Sequence, residues 1–193
     1  MTALDTISSD MGKQFKEISE SHIEFVVKQK IFFVGTATTE GRVNISPKGM
    51  DSLRIIEPNR VIWLNATGSG NETSAHIQSN PRITLMFTSF EGKPLTLRFY
   101  GVARVIHRND PEWENLYSLL PSNSGARQIF DCDIDLVQTS CGMSIPYFEY
   151  GGEREALNDW ARKRGPEGLK EYWLEKNQQS IDGKATHIKV RNT

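Results

Sequence analysis

Cysteine is scarce: Cys132 and Cys141 are the two thiols in 193 residues. Two are too few for a disulfide scaffold, and their spacing lacks the paired ligands of a zinc site, so both are expected to stay reduced. Charge of one sign is missing as well. Lys and Arg number 23 against 24 Asp and Glu, a net charge of −1. Such a balance offers no overall field to a polyanion, which argues against a nucleic-acid partner. No run approaches the roughly 20 apolar residues of a membrane span. The first stretch, MTALDTISSDMGKQFKE, has neither the basic start nor the apolar core of a secretory signal, so no membrane partner and a cytoplasmic location are expected. Internal repeats and low-complexity segments are absent too, which excludes a solenoid.

What is present suits one domain spanning 1–193, since a single core is comfortable at this length. Phe15, Ile18, Ile23, Phe25, Val26 and Val27 recur at roughly helical spacing, which predicts a helical segment over about 11–28. IFFVGTATT, Glu40-Gly41 and RVNISPKG then read as a hairpin. In its second strand Val43 and Ile45 point one way, while Arg42, Asn44, Ser46 and Lys48 point the other. SLRIIEP, RVIWLNA, RITLMFTSF and LTLRFYGVARVI add further strands, the pattern of an antiparallel barrel or sandwich. EWENLYSLL predicts a short helix, PSNSGARQ a polar loop, and IFDCDIDLVQTSC a returning strand with apolar Ile134, Leu136 and Val137. A charged helical extension is expected over about 153–180, broken at Gly165-Pro166.

The stretch NATGSGNETSAHIQSNP, residues 65–81, follows directly on the apolar run RVIWL. Gly68 and Gly70 allow a close backbone approach or positive φ. Ser69 stands three residues before Glu72, the spacing of a capping box, which predicts a helix running to about Ser79 and stopped by Asn80-Pro81. The first N–H groups of a helix lack internal partners and carry partial positive charge, so this corner can bind a phosphate. It can equally be a capped connector. The donor-rich face of Arg42, Asn44, Ser46 and Lys48 could join it in lining a groove for a phosphorylated ligand with a polar tail, or could simply face water. Trp63 and Tyr100 are suited to stacking on a planar ligand, or to filling a core.

The order VGTATTEGRVNISPKG, RVIWLNATGSGNETSAHIQSNPRITLMF, LTLRFYGVARVI resembles the pyridoxamine 5′-phosphate oxidase-like family of FMN-binding split β-barrels over about residues 20–108. The NPR after a short helix, flanked by strands, is the most specific element. GARQIFDCDIDLVQTSCGMSIPYFEY with NQQSIDG extends the likeness nearly to the C-terminus, toward a subgroup of pyridoxamine 5′-phosphate oxidase-related proteins. The resemblance implies a mainly β fold with flanking helices, a homodimer with two FMN sites at its interface, and an oxidoreductase acting on a small molecule. By position it implies that Ser46, Pro47 and Lys48 meet the ribityl chain and ring. Trp63, Leu64 and Asn65 would lie beside the isoalloxazine, and Asn71, Glu72 and Thr73 would grip the phosphate.

True oxidases of the family place basic residues at that helix start, where Asn-Glu-Thr stands here. The cation is therefore expected from elsewhere, such as Lys48 or Arg98, with Arg127 and Lys184 as spare cations near small-residue loops. The basic substrate pattern of the oxidases is not evident in SIDGKATHIKV, so pyridoxamine 5′-phosphate is not the expected substrate. An alternative of another class is a non-catalytic protein that stores, senses or carries a flavin, F420 or haem. The scattered His22, His76, His107 and His187 read as surface or helix residues rather than axial ligands, no metal site is expected, and Cys141 reads as a buried structural thiol.

Overall fold

The computed structural model describes residues 12–193. In chain order the elements are β1 (Gln14–Phe15), α1 (Glu20–Val26), β2 (Phe32–Thr36), β3 (Asn44–Lys48), β4 (Leu53–Glu57), β5 (Arg60–Ala66), α2 (Glu72–Ser79), β6 (Arg82–Thr88), β7 (Leu95–His107), α3 (Trp113–Tyr117), β8 (Ala126–Cys141), α4 (Ala156–Lys176) and α5 (Ile188–Asn192). The strands form one antiparallel sheet in the order β3-β2-β6-β7-β8-β5-β4, and β1 is added beside β8. β3 and β4 are its two ends. The sheet nevertheless curls on itself: Phe32 on β2 meets Trp63 on β5 edge to face at 6.2 Å, although these strands are not neighbours in the order. The result is a barrel split between β3 and β4, mainly β with flanking helices.

Alternation fills the interior. Phe32, Val34, Ile83, Leu85, Phe87, Leu97, Phe99, Trp63, Phe130 and Val137 point inward, stacked from strand to strand by the cross-strand register. A second apolar cluster forms outside the barrel, where Trp113 and Leu116 of α3 cover Ile62, Leu64 and Ile129. Ile134, Leu136 and Val137 depart from strict alternation because of a bulge. Tyr100 pairs with Leu136 but the next residue, Gly101, pairs with Ile134, so Asp135 is skipped and both Ile134 and Val137 end up buried. Only glycine fits opposite: a Cβ on Gly101 would lie 1.9 Å from the Asp133 carbonyl oxygen.

The N-terminal expectation needs correcting. Met11 lies outside the described residues, and the rest of 11–28 is a two-residue strand followed by a seven-residue helix. Ser19 caps that helix, forming a reciprocal capping box with His22, while Phe15 is tied to β8 opposite Val137. Sheet pairing therefore claims Phe15, while Ile23, Phe25 and Val26 of the same spacing do lie in a helix. At the other end the kink falls where Gly165-Pro166 predicted it, with Gly165 at φ 67°. No helix among the described residues is long and apolar enough to cross a membrane.

Candidate functional site

Strand β3 decides the geometry. Its register against β2 pairs Asn44 with Thr36, Ser46 with Val34 and Lys48 with Phe32, all partners that face the interior. The polar residues Asn44, Ser46 and Lys48 thus turn inward, while Val43 (69% exposed), Ile45 (70% exposed) and Pro47 face out. This is the reverse of a strand wetting its polar side.

The helix start closes over the inward face. Asn44 Nδ2 donates to Thr73 Oγ1 at 3.2 Å, and Thr36 Oγ1 is hydrogen-bonded to His76 Nδ1 at 3.1 Å. Farther in, Gln128 Nε2 donates to Ser74 Oγ and Asn65 Nδ2 donates to Gln128 Oε1. A polar layer therefore lies beneath α2, inside an otherwise apolar barrel. The capping box expected of Ser69 and Glu72 does not form. Asn71 occupies the N-cap without a side-chain cap bond, and the Glu72 carboxylate instead accepts from the Ile181 N–H at 3.0 and 3.1 Å. Gly68 and Gly70 are not left-handed, and a Cβ on Gly68 would meet nothing within 4 Å, so their smallness opens space rather than making a turn.

The residues after α4 fasten this corner, an arrangement for which the chain carries no local signal. Asn177 Nδ2 donates to the Gly68 carbonyl at 3.0 Å, Asn71 Nδ2 donates to the Asn177 carbonyl, and Gln78 Nε2 donates to the Thr186 carbonyl at 2.8 Å. Arg127 is the larger surprise. The stretch GARQ is not a polar loop throughout, because Ala126, Arg127 and Gln128 are buried at the start of β8. Arg127 is 2% exposed, and its NH1 donates to the Gly70 carbonyl at 3.0 Å and to Asn177 Oδ1 at 2.6 Å, while its Nε finds no partner. Burial drives its pKa down to about 9, leaving it charged at neutral pH.

Lys48 reaches over the Trp63 ring, 5.2 Å from its centroid. Burial, and then the positive Arg127, draw its pKa down to about 8. Ser46 Oγ is buried with no hydrogen-bond partner. Lys48 and Ser46 therefore present a desolvated cation and a free hydroxyl to the same interior space.

The other expected residues separate. Trp63 is wholly buried, stacked on Phe130 at 4.5 Å, so it is core rather than a stacking surface. Leu64 points to the opposite face, into the cluster under α3. Arg98 lies on the outer face of the sheet, where NH1 donates to Ser140 Oγ at 2.7 Å, and Tyr100 nearby donates to Gln138 Oε1. Lys48 faces in and Arg98 faces out, so they do not meet one ligand within a chain. His22 and His76 lie in helices α1 and α2 and His187 is exposed, as the sequence suggests, whereas His107 is buried at the end of strand β7. Cys141 is exposed and Cys132 buried, so the structural thiol is Cys132.

The sequence is similar to known proteins along most of its length. The family model described as pyridoxamine 5′-phosphate oxidase matches residues 18–141. The Aspergillus flavus pyridoxamine 5′-phosphate oxidase family protein ustO is 31% identical over 189 residues, covering 88% of this chain and 75% of that protein. Among solved structures, a Lactobacillus delbrueckii protein described as a candidate pyridoxamine 5′-phosphate oxidase gives a TM-score of 0.52 at 16% identity, over 64% of this chain and 94% of the other. A single-residue variant of HupZ from Group A Streptococcus gives 0.51 at 18% identity, over 63% and 98%. At these identities the two structures speak for the fold alone.

Proposed function

The chain belongs to the pyridoxamine 5′-phosphate oxidase family, and from that premise we propose that it is an FMN-binding oxidoreductase, acting in the cytoplasm on a small molecule other than pyridoxamine 5′-phosphate. The observation that carries this reading is the inward polar face of β3 set against the first turn of α2. A partnerless Ser46 hydroxyl, a desolvated Lys48 and the Asn44–Thr73 contact offer donors to a polar chain ending in an anion. These residues fit the ribityl phosphate of FMN in chemistry and order. The flavin, when bound, supplies the electron transfer, while the protein orients it and excludes water. Lys48 is the side chain suited to place a positive charge beside the bound group.

The working unit in this reading is a homodimer. Val43, Ile45 and Val102 are exposed on the outer sheet face, and Phe33, Met86, Arg98, Tyr100 and Leu136 are half-buried beside them. An apolar sheet face of this kind is suited to a second copy of the chain, which would bring Arg98 to the shared boundary.

An absorption spectrum of the purified protein, with NADPH then added under anaerobic conditions, tests the proposal. The expected result is the twin visible bands of a bound flavin, bleached by the nicotinamide, with pyridoxamine 5′-phosphate oxidation near background. A Soret band, or no uptake of added FMN, rejects the flavin reading. Turnover of the phosphorylated vitamer rejects the substrate exclusion.

A further inference from the structure

The two end strands of the split barrel, β3 and β4, do not pair with each other, and the link between them is a tight left-handed turn. Met50 has φ 62° and Asp51 φ 52°, values that residues other than glycine rarely adopt. Arg54 clamps the turn: NH1 donates to Asp51 Oδ1 and NH2 to Oδ2, each at 2.8 Å, and NH1 also donates to the Asp51 carbonyl at 3.0 Å. A strained turn over-determined in this way holds the two strand ends apart.

Behind the turn lies a cavity of about 330 Å³. Its floor is Phe32 and Phe87, partners across β2 and β6 whose rings stack at 5.7 Å. Val26 and Val27 at the end of α1 form one wall, and Leu53 and Ile55 of β4 form the other. Val27 is exposed, so the cavity opens to solvent past it. An apolar cavity of about 150 Å³ holds one benzene ring, so this space suits a planar molecule of one or two rings. It is separate from the polar corner. Phe32 stands opposite Lys48 and Thr36 opposite Asn44, which puts the cavity at the other end of β3 from the Asn44–Thr73 contact, roughly 13 Å along the strand.

The lining carries one uncommitted charge. Lys30 lies over the Tyr150 ring, 5.4 Å from its centroid, and forms no ion pair among the described residues. The acids beside it are engaged elsewhere: Arg54 takes both oxygens of Asp51, and Glu153 Oε1 accepts from the Tyr150 hydroxyl at 2.8 Å. Ser52 Oγ, on the same lining, is buried without a hydrogen-bond partner. An unpaired ammonium and an unpaired hydroxyl beside an apolar slot are complementary to a carboxylate on a ring.

We propose that this cavity is a binding site for a small aromatic carboxylate, with its ring on Phe32 and Phe87 and its charged end toward Lys30 and Ser52. The assignment needs no flavin, and it adds a second ligand site to the one on the inward face of β3.

Isothermal titration calorimetry with 2-naphthoate and its neutral analogue 2-naphthamide tests it. The expected result is saturable naphthoate binding with a Kd below about 1 mM, the level that a ligand of this size reaches at ordinary efficiency. Naphthoate should bind about tenfold tighter than the amide, and Lys30→Met should erase that preference. Leu53→Trp, which fills the cavity, and Val27→Trp, which plugs its mouth, should each abolish binding. No saturable binding to the wild type, equal affinity for the two probes, or unchanged binding in a folded Trp variant overturns the assignment. Should Leu53→Trp fail to fold, Val27→Trp decides alone, since its exposed position tolerates the change. The titration is repeated with FMN added and its uptake followed by visible absorbance. Unchanged naphthoate affinity with FMN bound supports a separate site, whereas displacement of one by the other overturns it. Naphthoate binding without any FMN uptake rejects the flavin reading and leaves this site standing.

Discussion

Trp173 donates its indole N–H to Thr67 Oγ1 at 2.9 Å, and both residues are buried. Thr67 in turn donates its hydroxyl to the Gly125 carbonyl at 2.8 Å. One hydroxyl thus joins α4 to the strand end that leads into the Gly68–Gly70 loop. Thr67→Val, which keeps the shape, is expected to lower stability by about 1–3 kcal/mol because the indole N–H loses its acceptor. Thr67→Ser should lose much less. Urea denaturation of the two variants checks the difference, and equal losses would show that packing rather than the hydrogen bond is at stake.

His107 gives stability a pH dependence. It is wholly buried, its Nδ1 hydrogen-bonded to Asn192 Oδ1 at 2.9 Å, and its pKa is lowered from 6.5 to about 4 by burial, then by the positive Arg191. The folded state therefore holds the ring neutral where the unfolded chain protonates it. The stability this represents is complete above pH 6.5 and is lost as pH falls through about 4, a total of roughly 3 kcal/mol. Between pH 7 and pH 5 the wild type should lose about 2 kcal/mol more than His107→Gln. Parallel pH profiles would rule out His107 as the source.

Asp131 is 5% exposed and is held by two arginines, Arg60 Nε at 2.9 Å and Arg104 NH2 at 2.7 Å. Burial alone would raise its pKa, but hydrogen bonds and charge from Arg60 and Arg104 hold it below the usual carboxylate range. The stabilisation is present above pH 3.8 and is lost as pH falls through the lower folded value. Asp131→Asn should cost about 1–3 kcal/mol at pH 7, less than for a fully buried pair because both arginines reach solvent. Denaturation at pH 7 and pH 3 tests this; a cost that does not shrink in acid would contradict it.

The two thiols should react unequally. Cys132 is buried, and burial followed by the negative Asp131 pushes its pKa well above the usual thiol range, whereas Cys141 is exposed at the end of β8. Iodoacetamide is expected to label Cys141 in the native protein and to reach Cys132 only after denaturation, as read by mass spectrometry of the peptides. Native labelling of Cys132 at a comparable rate would mean that β8 opens locally.

Much of the architecture follows from the sequence by itself. Alternating runs such as RITLMFTSF and the short apolar run in RVIWLNA mark the strands, Asn80-Pro81 marks the end of α2, and Gly165-Pro166 marks the break in α4, because strand patterning and proline and glycine backbone limits are local properties. The candidate ligand corner was also visible, since glycines next to a helix start are contiguous in the chain. Local pattern could not say which face of β3 is inside, because alternation fixes that Asn44 and Ile45 oppose each other but not which one the barrel takes. The register against β2 decided it, sending Asn44, Ser46 and Lys48 inward. Nor could it identify Arg127, which reads as a loop cation beside PSNSG. Its burial under Gly68–Gly70 depends on β8 pairing with β5 and on Asn177, about 50 residues onward, closing over it. Contacts between distant segments bury Arg127, and they exist only once the barrel has closed and the C-terminal residues have packed against it.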